Sequence, residues 1–370
     1  MIWRAHAPAI LIAWIIGIIP VLHVSGNEPD SCLGLESLDR FAASAQEWLP
    51  QRLLGEPKLW RQVAPSVWWL LRPHADVLAS QSRQHQHAMA AAAADFVLRK
   101  RSEMAAIRVI TADRPIVALL DPDRGLDRRQ ITTLANAYAT TSDVYKLHSA
   151  DTSRQDVGEA WLHAVGTLIR TGRSPTVVVV GHGLPTEIQS YHIPVARLAA
   201  TLFEASRDAQ QSGRQPGQPI LIFDDCFSAD FCLNLANCLD GQARSDDGDR
   251  QPLPVMIAGA NRDQYGHVDV GEKFVTHFWE VVIELYFVRT PRPTSITLGD
   301  FFGPVDNFMY GFGRTPIVEG GKVTGYRVVD ATLIQDPVCF VPLDTNDLTT
   351  LRRVLGLGET APVLPLLDAG

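Results

Sequence analysis

A histidine and a cysteine each follow an apolar run in this sequence. Five β-branched residues are followed directly by Gly181, His182 and Gly183, and Cys226 follows "ILIF" and two aspartates. A cysteine thiolate is a strong nucleophile, and a nearby imidazole can activate it and later protonate a leaving group. The two glycines let the backbone turn sharply, and the Gly183 amide could donate a hydrogen bond to a developing oxyanion. Together these residues indicate acyl-transfer chemistry.

Each of the two residues also has an ordinary structural interpretation. Taken alone, His182 is typical of a turn residue whose ring bonds to the backbone, and Cys226 is typical of a small buried apolar side chain. The catalytic interpretation is favoured because both residues follow apolar strands and would face one cleft.

The segments around these residues alternate between short apolar runs and amphipathic stretches from about residue 113 onward. Strands are predicted at "PIVALLDP" (115–122), "DVYKLHS", "PTVVVVGHG", "QPILIFDDCF" and "LPVMIAGA". Helices are predicted at "LDRRQITTLANAYATT", "DVGEAWLHAVGTLIRTG", "PVARLAATLFEASRDA" and "EKFVTHFWEVVIELYF". This alternation predicts an α/β fold with an open, mostly parallel sheet flanked by helices. Ligands bind beyond the carboxyl ends of such strands, so His182 and Cys226 are expected at one edge.

The chain divides into four predicted segments. Residues 1–26 carry a basic residue, an apolar run and a small-residue stretch, which is typical of a secretory signal. The alternative is an uncleaved membrane anchor, for which a run of about 16 residues is short. Residues 27–107 are predicted to be a helical extension, 108–345 the main domain and 346–370 a tail. We therefore expect the main domain to be exported, either to the periplasm or out of the cell, and to meet a membrane only if 1–26 is retained.

The composition sets limits on the partners. The chain has 370 residues, a formal net charge of −8 and 46% hydrophobic residues, as in an ordinary globular protein. Its acidic balance argues against nucleic acid as a partner. "HQH" at 85–87 lacks the further ligands of a metal site, and "DDGD" at 246–249 has only part of a calcium loop. No cofactor is therefore expected, with calcium as the alternative.

The sequence contains five cysteines, and their spacings match no zinc motif. An odd number in an exported protein suggests disulfide pairs and one free thiol. If Cys226 is the free thiol, Cys232 and Cys238 could close a small loop, and Cys32 could bond to Cys339. The alternative is that some or all of them remain reduced.

Two motifs resemble the signatures of caspase-like cysteine peptidases, the group that contains caspases, legumains and metacaspases. "VVVVGHG" resembles the histidine signature, and "ILIFDDCFSA" resembles the metacaspase pattern Asp-x-Cys-x-Ser-Gly, with Ala229 in place of the last glycine. "IAGANRDQYG" (257–266) is similar to the strand and loop that follow in metacaspases, although Ala258-Gly259-Ala260 replaces their Ser-Ala start. The resemblance covers roughly 108–345 and suggests an exported member of bacterial type.

The resemblance implies a role for each matching residue. His182 is the general base and acid, and Cys226 is the nucleophile of a cysteine endopeptidase that forms an acyl-enzyme. Asp224 corresponds to the acid in the pocket for the residue before the scissile bond. Asp121 corresponds to a second pocket acid, with a turn or helix cap as its alternative, and Asp263 is a third candidate. These carboxylates predict cleavage after a basic residue of a peptide or protein substrate.

A polar stretch at 241–252 is rich in turn formers and is predicted to be a surface loop. Caspase-like peptidases are often cut in this segment, and Arg244 and Arg250 are the self-processing candidates. Two other functions stay open. One is a legumain-like asparaginyl peptidase or transpeptidase, and the other is an inactive protein that uses the caspase fold for binding.

Overall fold

The structure is a computed structural model that describes residues 66–67, 70, 82–121, 142–145, 153–245, 254–260, 294–300, 313–330 and 337–355. The predicted secretory signal at 1–26 and the predicted helices at 126–141 and 272–287 lie outside these residues.

The described part of the chain contains five α-helices and twelve strands with described bounds, and residues 66–67, 70 and 298–300 are also helical. The helices are α1 (Arg83–Ala105), α2 (Arg154–Arg170), α3 (Val195–Gln211), α4 (Ser228–Ser245) and α5 (Thr345–Leu355). The strands are β1 (Arg108–Thr111), β2 (Ile116–Leu120), β3 (Ser142–Tyr145), β4 (Thr176–Val180), β5 (Glu187–Ile188), β6 (Ile193–Pro194), β7 (Ile220–Asp224), β8 (Val255–Ala258), β9 (Ser295–Thr297), β10 (Arg314–Glu319), β11 (Lys322–Val328) and β12 (Val338–Phe340).

Six of these strands form the central sheet, in the order β12-β8-β7-β4-β2-β3. Five of these strands, β3, β2, β4, β7 and β8, run parallel to one another. The sixth, β12, is antiparallel to β8. The prediction of a mixed α/β fold with a mostly parallel sheet flanked by helices is therefore confirmed. The chain runs outward from β2 to β3 and then returns to β4 on the other side of β2. The strand order thus reverses between β2 and β4.

One face of the sheet is covered by α2, α3 and α4, which pack against one another in that order. Every residue of β2, β4 and β7 is buried, as their unbroken apolar runs predict. Large side chains from the helices fill the layer; the ring of Phe231 on α4 lies 4.9 Å from that of Phe223 on β7. This packing fixes the register of the strands whose ends carry the candidate residues.

The helix α2 shows how local sequence sets the element boundaries. The side chain of Ser153 caps its first turn by accepting a hydrogen bond from the amide of Asp156. Gly172, predicted to close this helix, has φ of +79°, a left-handed conformation that glycine adopts without strain. The helix therefore ends before Gly172, as predicted, and begins at Arg154, two residues before the predicted start.

Several elements outside the predicted pattern complete the described fold. The strands β1 and β9 form a separate antiparallel pair, and β10 and β11 form a hairpin. The segment predicted as a tail begins with α5, which packs against α1, the described helix of the predicted N-terminal extension. Lys100 on α1 bonds to Asp347 on α5 at 2.5 Å. The described part of 346–370 therefore packs on α1.

Within the described residues, no helix combines the length and apolar character that a membrane crossing requires.

Candidate active site

The carboxyl ends of β2, β4 and β7 lie side by side. The last register pair between β4 and β7 joins Val180 and Asp224, and His182 and Cys226 each follow that pair by two residues. On the other side of β4, Val180 pairs with Leu120, so that Asp121 follows β2 by one residue. The structure therefore brings the backbones of these three residues to one edge. This edge includes the reversal between β2 and β4, where open α/β sheets form a ligand crevice.

The loops that carry His182 and Cys226 are in direct contact. The backbone of Gly183 lies so close to the next loop that a Cβ atom at this position would be 2.7 Å from the carbonyl oxygen of Cys226. The Asp225 carboxylate lies against the same face of Gly183. Glycine is required at position 183 because any side chain would push the two loops apart. The side chain of His182 is exposed and that of Cys226 is half-buried, so both can be reached from solvent.

The backbone of His182 is held at both ends by Ser190. The His182 amide donates to Ser190 Oγ at 2.7 Å, and the Ser190 amide donates to the His182 carbonyl at 3.1 Å. Gly181 permits this approach, since a Cβ atom there would lie 2.8 Å from Ser190 Oγ. The segment that contains Ser190 folds back onto the sheet edge, where the buried Tyr191 hydroxyl donates to the Leu120 carbonyl.

Asp121, expected in a substrate pocket or as a turn residue, is buried with 1% of its surface exposed and bonds within the protein. Its Oδ2 accepts a hydrogen bond from the Ser190 hydroxyl at 2.6 Å. The guanidinium of Arg154 on α2 lies 3.7 Å from the same oxygen and donates to the Ser190 carbonyl at 3.0 Å. Asp121 therefore anchors the segment that holds His182.

Cys226 lies in a tight connection between β7 and α4. The next residue, Phe227, has φ of +55°, an uncommon conformation for a bulky side chain. The helix α4 begins at Ser228, so Cys226 lies just before a helix N-terminus, where the helix dipole favours negative charge on the sulfur. The buried Ser228 hydroxyl accepts from the Ala260 amide at 2.9 Å and thereby ties this connection to the end of β8. The serine of the "DDCFSA" motif is thus structural.

Two buried carboxylates flank Cys226 on its N-terminal side. Asp224 is fully buried and Asp225 is 1% exposed. A Cβ atom at Gly259 would lie 2.8 Å from Asp224 Oδ1, so the loop after β8 passes directly over this carboxylate. Asp225 was missed by the sequence reasoning, although the doublet "DDC" marks it. Its contact with Gly183 makes it a part of the interface between the two loops.

The other described cysteines are thiols. Cys232 and Cys238 both lie on α4, and the small disulfide loop predicted between them is wrong. Six residues of α-helix separate their Cα atoms by about 9 Å, which exceeds the reach of a disulfide. Cys339 on β12 is also a buried thiol, and its predicted partner Cys32 lies outside the described residues. Burial raises the pKa of the Cys232 thiol well above its usual range, with further contributions from Asp225 and Cys339.

The predicted surface loop at 241–252 is wrong in its first part, because α4 continues to Ser245. Arg244 therefore lies in the last turn of a helix, and cleavage after it would require that turn to open. The helix persists past Gly241 because Leu235 and Leu239 pack its inner face into the core. Arg250, Asp263 and the partial calcium motif at 246–249 lie outside the described residues.

Among the described residues, no group of three or more histidine, cysteine, aspartate or glutamate side chains is placed to hold a metal ion. His85, from the "HQH" motif, is exposed on the first turn of α1.

The chain matches no protein-family model and no curated protein sequence. The geometry of the sheet edge is therefore the basis for a functional proposal.

Proposed function

We propose that the protein is a cysteine endopeptidase of caspase-like fold, with Cys226 as the nucleophile and His182 as the general base and acid. The observation that carries this proposal is the shared register of the two residues, two positions beyond the Val180–Asp224 pair on adjacent parallel strands. Such a placement gives a nucleophile and a base on rigid elements that face one crevice. The caspase-like resemblance depends on the motifs at the ends of β4 and β7, and these two strands are neighbours in the sheet.

The proposed reaction proceeds through an acyl-enzyme. His182 takes the proton of the Cys226 thiol, and the sulfur attacks the peptide carbonyl carbon to form a tetrahedral oxyanion. The Gly183 amide donates to that oxyanion. When the C–N bond breaks, the imidazolium returns its proton to the leaving amine. Water, deprotonated by His182, then attacks the thioester, and the free acid and the Cys226 thiol are released. The chemistry uses no cofactor.

The buried acids at the sheet edge support a substrate with a basic residue before the scissile bond. A carboxylate that has lost water gains most from a partner with a fixed positive charge, and a guanidinium can bind it through two parallel hydrogen bonds. Asp121 already has the guanidinium of Arg154 beside it. The proposed preference depends on Asp224, which the caspase-like resemblance places in the pocket for that residue. The proposal includes export of the main domain, which would make its substrates peptides or proteins outside the cytoplasm.

Turnover of a fluorogenic peptide library by the purified protein tests the proposal. Cys226→Ala and His182→Ala should each lower turnover by about 1000-fold or more, because a nucleophile and its base act as a unit. Cys238→Ala is the matched control, since it removes another half-buried thiol, on α4, and should leave turnover unchanged.

An acyloxymethyl ketone probe separates catalysis from binding alone. Selective labelling of Cys226 in the wild type, lost in His182→Ala, is expected. A folded wild type that neither turns over the library nor labels at Cys226 would contradict the proposal and favour an inactive caspase-fold binding protein. Transfer of the acyl group to an added amine would identify a transpeptidase instead of a hydrolase.

A further inference from the structure

Ser190 uses all of its polar groups at the candidate site. Its hydroxyl accepts from the His182 amide and donates to Asp121, its amide donates to the His182 carbonyl, and its carbonyl accepts from Arg154. Its side chain is buried, although that of His182 is exposed. Ser190 is therefore the point at which β2, α2 and the loop after β4 are connected.

We infer that Ser190 is a positioning residue for His182, held in place by Asp121 and Arg154. This inference rests on the proposed function, because it assigns the hydrogen bonds a role in aligning the general base with Cys226.

The His182 loop needs such a connection because of its own sequence. His182 is flanked by Gly181 and Gly183, and glycine gives a backbone more conformational freedom than any other residue. A ring that projects into solvent from such a backbone would sample many directions. The two bonds from Ser190 remove this freedom at the peptide groups on either side of the His182 Cα atom. Gly181 makes these bonds possible, because its missing Cβ leaves the space that Ser190 Oγ occupies.

The hydroxyl group is suited to this position because it can accept and donate at once. The His182 amide can only donate, so the hydroxyl must accept from it and direct its own proton elsewhere. The Asp121 Oδ2 atom accepts the hydrogen bond that the hydroxyl donates. The direction of each bond is therefore fixed, and Arg154 adds a bond to the Ser190 carbonyl and a positive charge near Asp121.

The test is the rate at which iodoacetamide alkylates Cys226 as a function of pH, together with kcat and KM for a cleaved peptide. In the wild type, an imidazolium beside the sulfur keeps Cys226 reactive at a lower pH than in His182→Ala. Ser190→Ala should move the profile toward that of His182→Ala. Its kcat should fall about 10- to 100-fold, as expected for a misplaced base, with KM little changed.

Two further variants make the result specific. Asp121→Asn keeps the shape of the side chain and removes its charge, so it should shift the profile in the same direction, and it decides the question if Ser190→Ala does not fold. Thr176→Val is the matched control, because it removes a buried hydroxyl bond to Val109 at the opposite end of the same strand. It should leave the profile unchanged even if it lowers stability.

The Ser190→Ala variant keeps the charged side chains of Asp121 and Arg154. A shift of its alkylation profile would therefore come from the lost hydroxyl. A Ser190→Ala profile equal to that of the wild type, while His182→Ala differs, would overturn this inference alone. An equal shift in Thr176→Val would also overturn it. A wild-type profile equal to that of His182→Ala would overturn the proposed function, and this inference with it.

Discussion

The backbone of Gly183 lies directly against the carbonyl of Cys226, with 2.7 Å between that oxygen and the place a Cβ atom would take. Contact between the two loops thus depends on the missing side chain. Gly183→Ala should destabilise the fold by about 1–3 kcal/mol, because the neighbouring atoms are backbone and a buried carboxylate that cannot move away freely. Peptide turnover should fall together with Cys226 labelling, and urea unfolding should report the loss of stability.

Gly166→Ala is the control for that substitution. Gly166 lies inside α2, where a Cβ atom would be 3.3 Å from the Thr201 methyl group and alanine improves helix propensity by about 1 kcal/mol. We expect a change in stability within about 1 kcal/mol and no loss of turnover. Equal effects of the two substitutions would contradict the importance of the Gly183–Cys226 contact.

Native alkylation should divide the described cysteines into two groups. Cys226 and Cys238 are half-buried thiols and should react with iodoacetamide in the folded protein, whereas the buried Cys232 and Cys339 should react only after unfolding. Peptide mapping by mass spectrometry before and after denaturation measures this directly. Modification of Cys232 in the native protein at the rate of Cys226 would contradict the buried position of this thiol.

The raised pKa of Cys232 also predicts a pH dependence of stability. In the unfolded chain the Cys232 thiol has a pKa of about 8.5. Burial, with a contribution from Asp225, raises this pKa in the folded protein. Above about pH 8.5 the unfolded state loses its proton first, so the free energy of unfolding should fall as pH rises, by at most about 1.4 kcal/mol per pH unit. Cys232→Ala should reduce this slope between pH 8 and 10, and an unchanged slope would be the contrary result.

The ion pair between α1 and α5 should contribute more stability than an exposed pair. Lys100 and Asp347 side chains are 11% and 15% exposed, whereas those of Arg170 and Asp208 are 43% and 42% exposed. Lys100→Met leaves a mostly buried carboxylate without its cation and should cost about 1–3 kcal/mol at pH 7. Arg170→Met should cost at most about 1 kcal/mol.

The pH dependence of this pair follows from the pKa of Lys100. Burial lowers that pKa, but the hydrogen bonds that Lys100 donates to Asp347 and Glu103, together with the negative charge of these acids, outweigh burial, and the net pKa is raised. The contribution is therefore complete below the unfolded lysine pKa of about 10.4 and is lost as pH rises above it. The difference in stability between the wild type and Lys100→Met should stay constant from pH 7 to 9. A difference that shrinks in that range would contradict the pairing.

Asp224→Asn should change which peptides are cleaved. If Asp224 receives the basic side chain before the scissile bond, removal of its charge should lower kcat/KM for arginine peptides by about 100-fold or more, because the guanidinium would lose a charged partner. Library profiling of the wild type and the variant is the measurement. An arginine preference that survives in Asp224→Asn would remove this role from Asp224, and cleavage after asparagine would favour the legumain-like alternative.

The sheet could be predicted because its parallel strands are buried on both faces. "TVVVV" and "ILIF" carry no charged residue and only one polar residue, Thr176, and helices between them leave few arrangements of the strands. The edge position of His182 and Cys226 follows from that pattern alone. The sequence could also have excluded a disulfide between Cys232 and Cys238, since "SADFCLNLANCLDG" has the apolar spacing of a helix throughout.

Ser190 could not be predicted in this way. It lies in a short 3-10 turn eight residues after His182, and its other partner, Asp121, is 69 positions away. Contacts of this kind depend on how a loop folds back, and no periodicity in the sequence records them. The start of helix α5, in contrast, could be predicted from the sequence. Asp344 and Asp347 are spaced as in a capping box, and each side chain accepts a hydrogen bond from the other residue's amide.

The parallel pairing of β2, β4 and β7 joins residues that are far apart along the chain. Each pairing closes a long loop before any contact compensates for the lost entropy, so such sheets form slowly and as a unit. Asp121, which follows β2, can hold Ser190 against the His182 loop only once β2 and β4 have paired. The proposed reactive pair would therefore appear only when the whole sheet has formed, and a chain that is still folding would be protected from its own chemistry.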